Sequence, residues 1–344
     1  MASQYVEPPK IKLTKDDFAS DQEVRWCPGC GDYAILATIK RVLPELGIPR
    51  EKFVFVSGIG CSSRFPYYVN TYGIHSIHGR APTIATGIRL ANPELSVWVV
   101  TGDGDGLSIG GNHLIHLMRR NVNVNIILFN NEIYGLTKGQ YSPTTPKGHV
   151  TRSSPYGSID EPFNPVQVAL AAGATFVART VDRDTKHMAE VFRRAAHHNG
   201  VSFVEVFQNC VIFNDGAFRE VTDPKEKWEH ALYLEHGKPL VYGKNPLKGL
   251  RLNGYHLEKK ELPDGNVTDD ILVHDETLMD TAYATLLSEL TYKEDMPIPI
   301  GVFRSVEKET YEEAFFKQMD QVKKMKGEGD LKKLFLTGDV WEVS

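Results

Sequence analysis

The fold of this chain is decided by the stretch SVWVVTGDGDG, residues 96–106. Its first six residues are almost all apolar, which is typical of a strand buried on both faces of a parallel sheet. The glycines and aspartates that follow predict a loop at the carboxyl end of that strand. A helix through residues 113–118 and a second apolar strand at 125–129 come next. This order of strand, helix and strand predicts an α/β fold with a parallel sheet and helices on both faces.

The same alternation of strands and helices extends over most of the first 218 residues. The sequence is therefore predicted to contain three regions. Residues 1–25 form an irregular arm, residues 26–218 the sheet domain, and residues 219–344 a charged C-terminal extension with one strand at 300–303 and an exposed helix at 306–326. The segment 130–165 has little periodicity, and loops of that length are usually functional. The other predicted helices are 32–46, 80–91, 166–172 and 185–198, and the other predicted strands are 52–57, 175–178 and 201–207.

The composition excludes several classes of protein. The chain has 344 residues, of which 39 are basic and 44 acidic, and its formal net charge is −5 at pH 7. Because there is no basic excess, we expect no nucleic-acid partner. No run of about 18 apolar residues is present, so no membrane span is predicted. Residues 1–24 lack the apolar core of a secretory signal, and we expect a cytoplasmic protein.

Polar residues follow both central strands at the points where they end. Asp103 comes just after the strand at 96–101, and Asn130 and Asn131 follow the strand at 125–129. Open parallel sheets bind ligands outside the carboxyl ends of their strands, and carboxylate and amide oxygens suit Mg²⁺. The two loops therefore predict a Mg²⁺–diphosphate site, the alternative being two solvated turns. The glycine spacing matches neither a Rossmann fingerprint nor a Walker loop, which disfavours a dinucleotide or ATP.

The four cysteines pose a separate question. Cys27 and Cys30 form a Cys-x-x-Cys pair just before a predicted helix, whereas Cys61 and Cys210 each follow a predicted strand. In a reducing compartment such a set indicates a metal, a catalytic thiol or core residues before it indicates disulfides. Four thiolates suit a tetrahedral Zn²⁺ or one [4Fe–4S] cluster. Redox chemistry of the close pair and independent buried cysteines remain open as alternatives.

The motifs around these residues resemble known families. The GDG at 102–104, followed by the NN at 130–131, resembles the motif of thiamine-diphosphate enzymes. In those enzymes the sheet domain that holds the diphosphate is called the PP domain. The resemblance implies that Asp103, the Asn131 side chain and the Ile133 carbonyl bind Mg²⁺. It also implies that Gly104 and Asp105 lie against the diphosphate.

The full order of motifs resembles the β subunits of the 2-oxoacid:ferredoxin oxidoreductases, from residue 26 to about residue 218. In this family four cysteines bind one [4Fe–4S] cluster close to the thiamine, which implies that Cys27, Cys30, Cys61 and Cys210 are its ligands. The runs SSRFPYY at 62–68 and YGLTKGQ at 134–140 are most similar to the 2-oxoglutarate members. The other motifs are WCPGCG at 26–31, GIGCSSR at 58–64, HGRA at 78–81 and QNC at 208–210.

The resemblance also implies contacts with the thiamine and the substrate. Leu136 stands where pyruvate-using relatives carry asparagine, which fits a larger substrate. Arg64 is implied to bind the distal carboxylate of 2-oxoglutarate, because a guanidinium binds carboxylates bidentately. Its alternative role is a salt bridge at the surface or to a partner subunit, and that of His78 is a helix-start histidine bonded to backbone. The residues implied to contact the thiamine are Ile59, Gly60, Cys61, Ser62, His78, Gly135, Leu136 and Thr137.

The family reaction implies further partners. A 2-oxoacid, coenzyme A and oxidised ferredoxin give an acyl-CoA, CO₂ and reduced ferredoxin, so we expect reversible conversion of 2-oxoglutarate to succinyl-CoA. The sequence shows no second domain carrying the glutamate that activates the thiamine aminopyrimidine. The resemblance therefore implies an α subunit that supplies it, in an αβ or (αβ)₂ complex. The alternatives are a β subunit for pyruvate or another 2-oxoacid, and a zinc-stabilised interaction subunit without catalysis.

Overall fold

The structure is a computed structural model that describes residues 12–343. Residues 1–11 of the predicted arm lie outside the described part. The strands are Phe53–Ser57 (β1), Tyr72–His75 (β2), Ser96–Gly102 (β3), Asn125–Asn130 (β4), Ile133–Tyr134 (β5), Gln140–Tyr141 (β6), Phe176–Val181 (β7), Ser202–Phe207 (β8), Ala231–Leu234 (β9), Val241–Tyr242 (β10), Leu247–Asn253 (β11), His256–Leu262 (β12) and Ile298–Ser305 (β13). The α-helices are Asp32–Val42 (α1), Ala81–Ala91 (α2), Gly111–Arg119 (α3), Pro165–Ala171 (α4), Thr185–His197 (α5), Arg219–Thr222 (α6), Lys227–His230 (α7), Ala282–Glu289 (α8), Tyr311–Lys326 (α9) and Leu331–Phe335 (α10).

One sheet organises the molecule. Its eight strands follow the order β2-β1-β3-β4-β8-β7-β13-β9, and all neighbouring pairs are parallel except β13 with β7. Because β1, β3 and β4 are adjacent and parallel, the loops that follow them meet at one edge of the sheet. The predicted α/β fold with a parallel sheet is confirmed, with one antiparallel pairing added.

Both faces of the sheet are covered, as the apolar strand patterns predict. Along β3, Val97 and Val99 face one core, whereas Trp98 and Val100 face the other. Residues of α2, α3, α4 and α8 join the first core, and residues of α1 and α5 join the second. A strand that buries both sets of alternating side chains needs an apolar residue at nearly every position.

The C-terminal segment contributes more regular structure than the sequence analysis predicted. The strands β9 and β13 form the edge of the main sheet beyond β7, and β10, β11 and β12 form a separate three-stranded antiparallel sheet. The predicted strand at 300–303 lies inside β13, whereas β9 to β12 were not predicted, because they are short or rich in charged residues. The boundary at residue 218 remains a prediction.

Two further features concern the long central loop and the helices. The segment 130–165 is largely irregular, and its only strands in the described part are the short antiparallel pair β5 and β6. Within residues 12–343 no helix has the length and apolar character needed to cross a membrane.

A buried ion pair joins two neighbouring strands behind the site. Arg179 Nε on β7 donates to Glu205 Oε2 on β8 at 2.6 Å, and both side chains are fully buried. The second carboxylate oxygen of Glu205 accepts from Asn130 Nδ2 at 2.7 Å, at the end of β4. Removal of one partner would leave an uncompensated charge in the sheet, which is strongly destabilising.

We therefore expect Arg179→Ala to lower the free energy of unfolding by about 3–5 kcal/mol. The matched control is Arg193→Ala, which removes a half-exposed arginine 2.8 Å from Glu45 and should change that free energy by at most about 1 kcal/mol. Urea unfolding of the purified proteins measures both values, and equal losses in the two variants would contradict the prediction.

Candidate active site

The loops that follow β1, β3 and β4 enclose a cavity, which we name the strand-end cavity. It brings together every residue that the sequence analysis assigned to the thiamine or to Mg²⁺, from segments far apart in the chain. Those lining residues are Ile59, Gly60, Cys61, Ser62, His78, Asp103, Gly104, Asp105, Asn131, Ile133, Gly135, Leu136 and Thr137. Their individual roles remain predictions.

Asp103 lies almost fully buried at the base of this cavity. Its Oδ2 accepts hydrogen bonds from the hydroxyl of Ser142 and from Thr144 Oγ1, the latter at 2.7 Å. Burial raises the pKa of Asp103 to about 6, against the lowering effect of these two hydroxyls. A bound divalent cation would favour the ionised form. Ser142 and Thr144 were not predicted, since a YSPTT run in a long loop carries no motif that points to them.

Asn131 is held in a fixed orientation beside Asp103. Its Oδ1 accepts from the Ile133 backbone N–H at 3.1 Å, and its Nδ2 donates to Gln208 Oε1 at 2.9 Å. An amide oxygen has two lone pairs, so Oδ1 retains one for a cation. One carboxylate with carbonyl oxygens is a donor set that fits Mg²⁺, which completes its shell with water and phosphate oxygens.

The Asp105 carboxylate is surrounded by hydrogen-bond donors of the protein, which indicates a structural role. Its Oδ1 accepts from the backbone N–H groups of Ile59 at 3.0 Å and Gly79 at 2.7 Å, and its Oδ2 accepts from Thr101 Oγ1 at 2.6 Å. His78 Nδ1 also lies 2.5 Å from Oδ1. The His78 ring is therefore bonded to a buried carboxylate and not to backbone, and it lines the cavity with part of its surface exposed.

Glycines allow this close packing. A Cβ on Gly58 would lie 2.0 Å from Asp105 Oδ2, and a Cβ on Gly104 would lie 2.1 Å from the Tyr134 ring. The Tyr134 hydroxyl donates to the Gly104 carbonyl at 3.1 Å. The GIG and GDG motifs thus leave room for neighbouring side chains as well as for a ligand.

The four cysteines line a second cavity of about 240 Å³, which we name the cysteine cavity. It shares Cys61, Asn131, Gly135 and Leu136 with the strand-end cavity. A Cβ on Gly135 would lie 3.5 Å from the sulfur of Cys61 and 3.7 Å from that of Cys210. The two cavities therefore meet at a common wall that includes Cys61 and Gly135.

The donor chemistry of this cavity fits an iron–sulfur cluster. All four cysteines are free thiols, and burial raises the pKa of Cys61 to about 12 and that of Cys30 further, so both are neutral without a cation. Metal binding requires thiolates, which the positive charge of iron would stabilise. Within residues 12–343 no group of three or more Cys, His, Asp and Glu is spaced to hold a single ion. Four cysteines around one cavity are the ligand number of a [4Fe–4S] cluster and also of a tetrahedral zinc.

Two other acidic residues were missed by the sequence analysis. Asp32, at the start of α1, lines the strand-end cavity, and neither of its carboxylate oxygens accepts a hydrogen bond in the described part. Burial, reinforced by the charge of Asp182, raises the pKa of Asp32 to about 7. Asp182 Oδ2 accepts from the Asn209 N–H at 2.8 Å, next to Cys210. An aspartate at the start of an apolar helix is usually interpreted as a helix-terminus residue. The sequence therefore showed no sign that Asp32 lines a cavity.

Comparison with known proteins identifies the family of the chain. Residues 58–206 match the family model described as thiamine pyrophosphate enzyme, C-terminal TPP binding domain. The chain is 54% identical over 329 residues to "2-oxoglutarate oxidoreductase subunit KorB" of Mycobacterium tuberculosis, which covers 95% of this chain and 88% of that protein. The chain belongs to the 2-oxoacid:ferredoxin oxidoreductase β subunits. The family resemblance found in the sequence is thereby confirmed.

Other relatives agree with this β-subunit assignment. "2-oxoacid:ferredoxin oxidoreductase 1, subunit beta" of Aeropyrum pernix is 47% identical over 190 residues, which are 55% of this chain and 60% of that one. The solved "2-oxoglutarate:ferredoxin oxidoreductase from Magnetococcus marinus with 2-oxoglutarate, coenzyme A and succinyl-CoA bound" superposes with a TM-score of 0.74 at 33% identity, covering 95% of this chain and 97% of that chain. As a β subunit, the chain is one part of a multi-subunit oxidoreductase.

Arg64 lies apart from the residues predicted to contact the thiamine. Its guanidinium lines the cysteine cavity of this β subunit and not the strand-end cavity, and its Nε donates to the Tyr68 hydroxyl at 3.0 Å. Leu136 lines both cavities and is half exposed. The substrate roles of Arg64 and Leu136 remain predictions.

A larger cavity of about 620 Å³ lies apart from all these residues, between β9 and the three-stranded sheet. Its lining includes Lys227, Trp228 and Tyr242 but none of the predicted site residues. The predicted site residues therefore line the two smaller cavities and not this one.

We expect Gly58→Ala to lower the free energy of unfolding by about 1–3 kcal/mol, because the added methyl group displaces the buried Asp105 carboxylate. Gly87→Ala on α2 is the matched control, since its Cβ would meet nothing within 4 Å and a helical alanine stabilises by about 0.4–1 kcal/mol. Chemical denaturation compares the two variants, and a Gly58→Ala protein as stable as Gly87→Ala would contradict the packing described for Asp105.

Proposed function

We propose that this chain is the β subunit of a 2-oxoglutarate:ferredoxin oxidoreductase. Such an enzyme converts 2-oxoglutarate and coenzyme A to succinyl-CoA and CO₂ and passes the electrons to ferredoxin. The observation that carries the proposal is the wall common to the strand-end cavity and the cysteine cavity, formed by Cys61, Asn131, Gly135 and Leu136. An oxidative decarboxylation that releases electrons singly needs its organic cofactor and its electron acceptor to lie side by side.

The strand-end cavity is proposed to hold thiamine diphosphate with Mg²⁺. Asp103, the Asn131 amide and the Ile133 carbonyl would hold the cation, and Gly104 and the backbone of Asp105 would lie against the diphosphate. Thiamine bound there would supply a nucleophilic carbon for the keto group and an electron sink for the charge left when CO₂ departs. The residues of this chain contribute placement, because Ser142 and Thr144 orient the Asp103 carboxylate.

His78 is proposed to contact the cofactor through its free ring nitrogen. Its Nδ1 is paired with the buried Asp105 carboxylate, which fixes the ring and leaves Nε2 as the nitrogen available to a cofactor. A histidine whose second nitrogen is bonded to a carboxylate has a defined orientation and tautomer. His78 can thus hold a proton or make a hydrogen bond at Nε2.

Cys27, Cys30, Cys61 and Cys210 are proposed to hold a [4Fe–4S] cluster in the cysteine cavity. Gln208 supports this arrangement, since its Nε2 lies 3.3 Å from Cys30 Sγ while its Oε1 accepts from Asn131. One glutamine side chain thus connects a proposed cluster ligand with a proposed magnesium ligand. Free thiols in such a site also support a reducing, cytoplasmic location.

The α subunit is proposed to complete the site. The described residues that line the strand-end cavity include no glutamate, so the carboxylate that activates the aminopyrimidine would come from that chain. Substrate and coenzyme A contacts beyond Arg64 and Leu136 are assigned to the same partner, in an αβ or (αβ)₂ complex. The relatives' names as β subunits support such an assembly.

Co-purification with the α subunit tests the function directly. We expect a brown complex with about four iron atoms and one thiamine per β subunit, which reduces methyl viologen at least tenfold faster with 2-oxoglutarate and coenzyme A than with pyruvate. A colourless complex with one zinc per chain would instead identify an interaction subunit. Equal or faster rates with pyruvate would assign the chain to another substrate class.

We expect Asp103→Ala to abolish Mg²⁺-dependent thiamine binding, because it removes the one predicted carboxylate ligand. Thiamine content and iron content of the purified complex are measured together, and iron should remain near its wild-type value. Asp21→Ala, which removes an exposed aspartate of the N-terminal segment, is the control. Retention of thiamine by the Asp103→Ala complex would refute the magnesium assignment.

A further inference from the structure

We propose that Gln208 is a positioning residue that couples the two cavities, so that a cation bound at Asn131 raises the reduction potential of a cluster bound at Cys30. The inference rests on the proposed function, because it requires both a magnesium–thiamine site and an iron–sulfur cluster. It adds a thermodynamic connection between these two sites and names the side chain that provides it.

Two side-chain amides connect the strand-end cavity with the cysteine cavity. Asn131 Nδ2 donates to Gln208 Oε1 at 2.9 Å, and Gln208 Nε2 donates to Cys30 Sγ at 3.3 Å. Gln208 directly follows β8 and is only 1% exposed, so water does not compete with its amide for these partners. A single buried side chain therefore links a proposed magnesium ligand to a proposed cluster ligand.

Backbone groups fix the orientation of both amides. The Ile133 N–H can only donate, and it is bonded to Asn131 Oδ1 at 3.1 Å, which leaves Nδ2 for Gln208. The Asn209 carbonyl can only accept, and it is bonded to Gln208 Nε2 at 2.6 Å. A reversed Gln208 amide would place two oxygens against each other, whereas Nε2 has a second hydrogen for the Cys30 sulfur. The hydrogen bonds therefore all donate in one direction, from Ile133 towards the sulfur.

This common direction makes the two sites interdependent. A cation that draws electron density from Asn131 Oδ1 makes Nδ2 a stronger donor to Gln208, and hydrogen bonds in such a chain polarise one another. The bond from Gln208 to the sulfur is strengthened in turn. Hydrogen bonds to the sulfurs of a cluster help to set its reduction potential, because they stabilise the more negative, reduced state. By linkage, reduction of the cluster tightens cation binding by the same factor.

A second contact to Asn131 provides a matched control. Asn214 Nδ2 donates to the Asn131 backbone carbonyl at 2.9 Å, and the Asn214 N–H donates to the Cys210 carbonyl at 3.0 Å. The Asn214 side chain thus also holds Asn131 in place, but within residues 12–343 it makes no hydrogen bond to a sulfur. Asn214→Ala therefore removes support from Asn131 and leaves the two amides between Ile133 and Cys30 connected.

The test is a redox titration of the purified αβ complex, with and without Mg²⁺–thiamine diphosphate. The electron paramagnetic resonance signal of the reduced cluster gives the potential and needs no turnover. In the wild type we expect loading to favour the reduced cluster roughly threefold to tenfold, the effect of about one hydrogen bond. For one electron this is a rise of about 30–60 mV. Gln208→Met keeps a side chain of similar length without the amide, so its potential should be lower and should not rise on loading.

The Asn214→Ala complex should keep the wild-type rise in potential on loading. A wild-type potential that stays constant or falls on loading would overturn the coupling without the use of any variant. An equal loss of the rise in Gln208→Met and Asn214→Ala would overturn it as well, because both contacts would then only hold Asn131 in place. A complex that contains zinc and no redox centre would count against the proposed function. A reducible cluster in an active complex that does not respond to loading would count against the coupling alone.

Discussion

One buried carboxylate holds the strand-end cavity together. Asp105 is 2% exposed, and it accepts hydrogen bonds from the loop after β1, from the turn before α2 and from β3 itself. A carboxylate with so many donors is stable away from water, whereas one without them is not. The position of Ile59, the orientation of His78 and the course of the GDG loop all follow from this single side chain. Gly58 must lack a side chain because the carboxylate occupies that space.

The two aspartates of the GDGDG sequence thus have different tasks, although they stand only two residues apart. Asp105 accepts hydrogen bonds from protein donors on both oxygens, so its side chain fixes the surrounding loops. Asp103 has two hydroxyl donors on one oxygen, and burial raises its pKa to about 6. Its ionised form gains most from a cation placed beside it. Environment, not residue type, separates the residue that builds the site from the residue proposed to bind the metal.

The sequence was sufficient to predict the residues whose type and position at a strand end determine their place in the site. The apolar alternation of β3 and β4 predicted the sheet, and the parallel order predicted that Asp103 and Asn131 would meet. It was insufficient where the contact is long-range. Ser142 and Thr144 lie about 40 residues from Asp103 in a loop without periodicity, so no local pattern marks them. The edge strand β9 is short and is stabilised by its pairing with β13. The sequence of β9 alone does not reveal this pairing. The buried position of Asp32 depends on the tertiary packing of α1, which brings this carboxylate near Asp182.

The charge balance of the strand-end cavity supports the proposed divalent cation. The described residues that line it include three carboxylates, Asp32, Asp103 and Asp105, and no lysine or arginine. A diphosphate placed in such a lining would be repelled, and the repulsion is strong where water is excluded. Burial, which raises the pKa of Asp32 to about 7, removes part of that negative charge but not the contribution of Asp103. Backbone N–H groups of the glycine loops supply only partial positive charge. A fold that offers Asp103 at this point would therefore bind a diphosphate only together with a cation, which supports the proposed Mg²⁺.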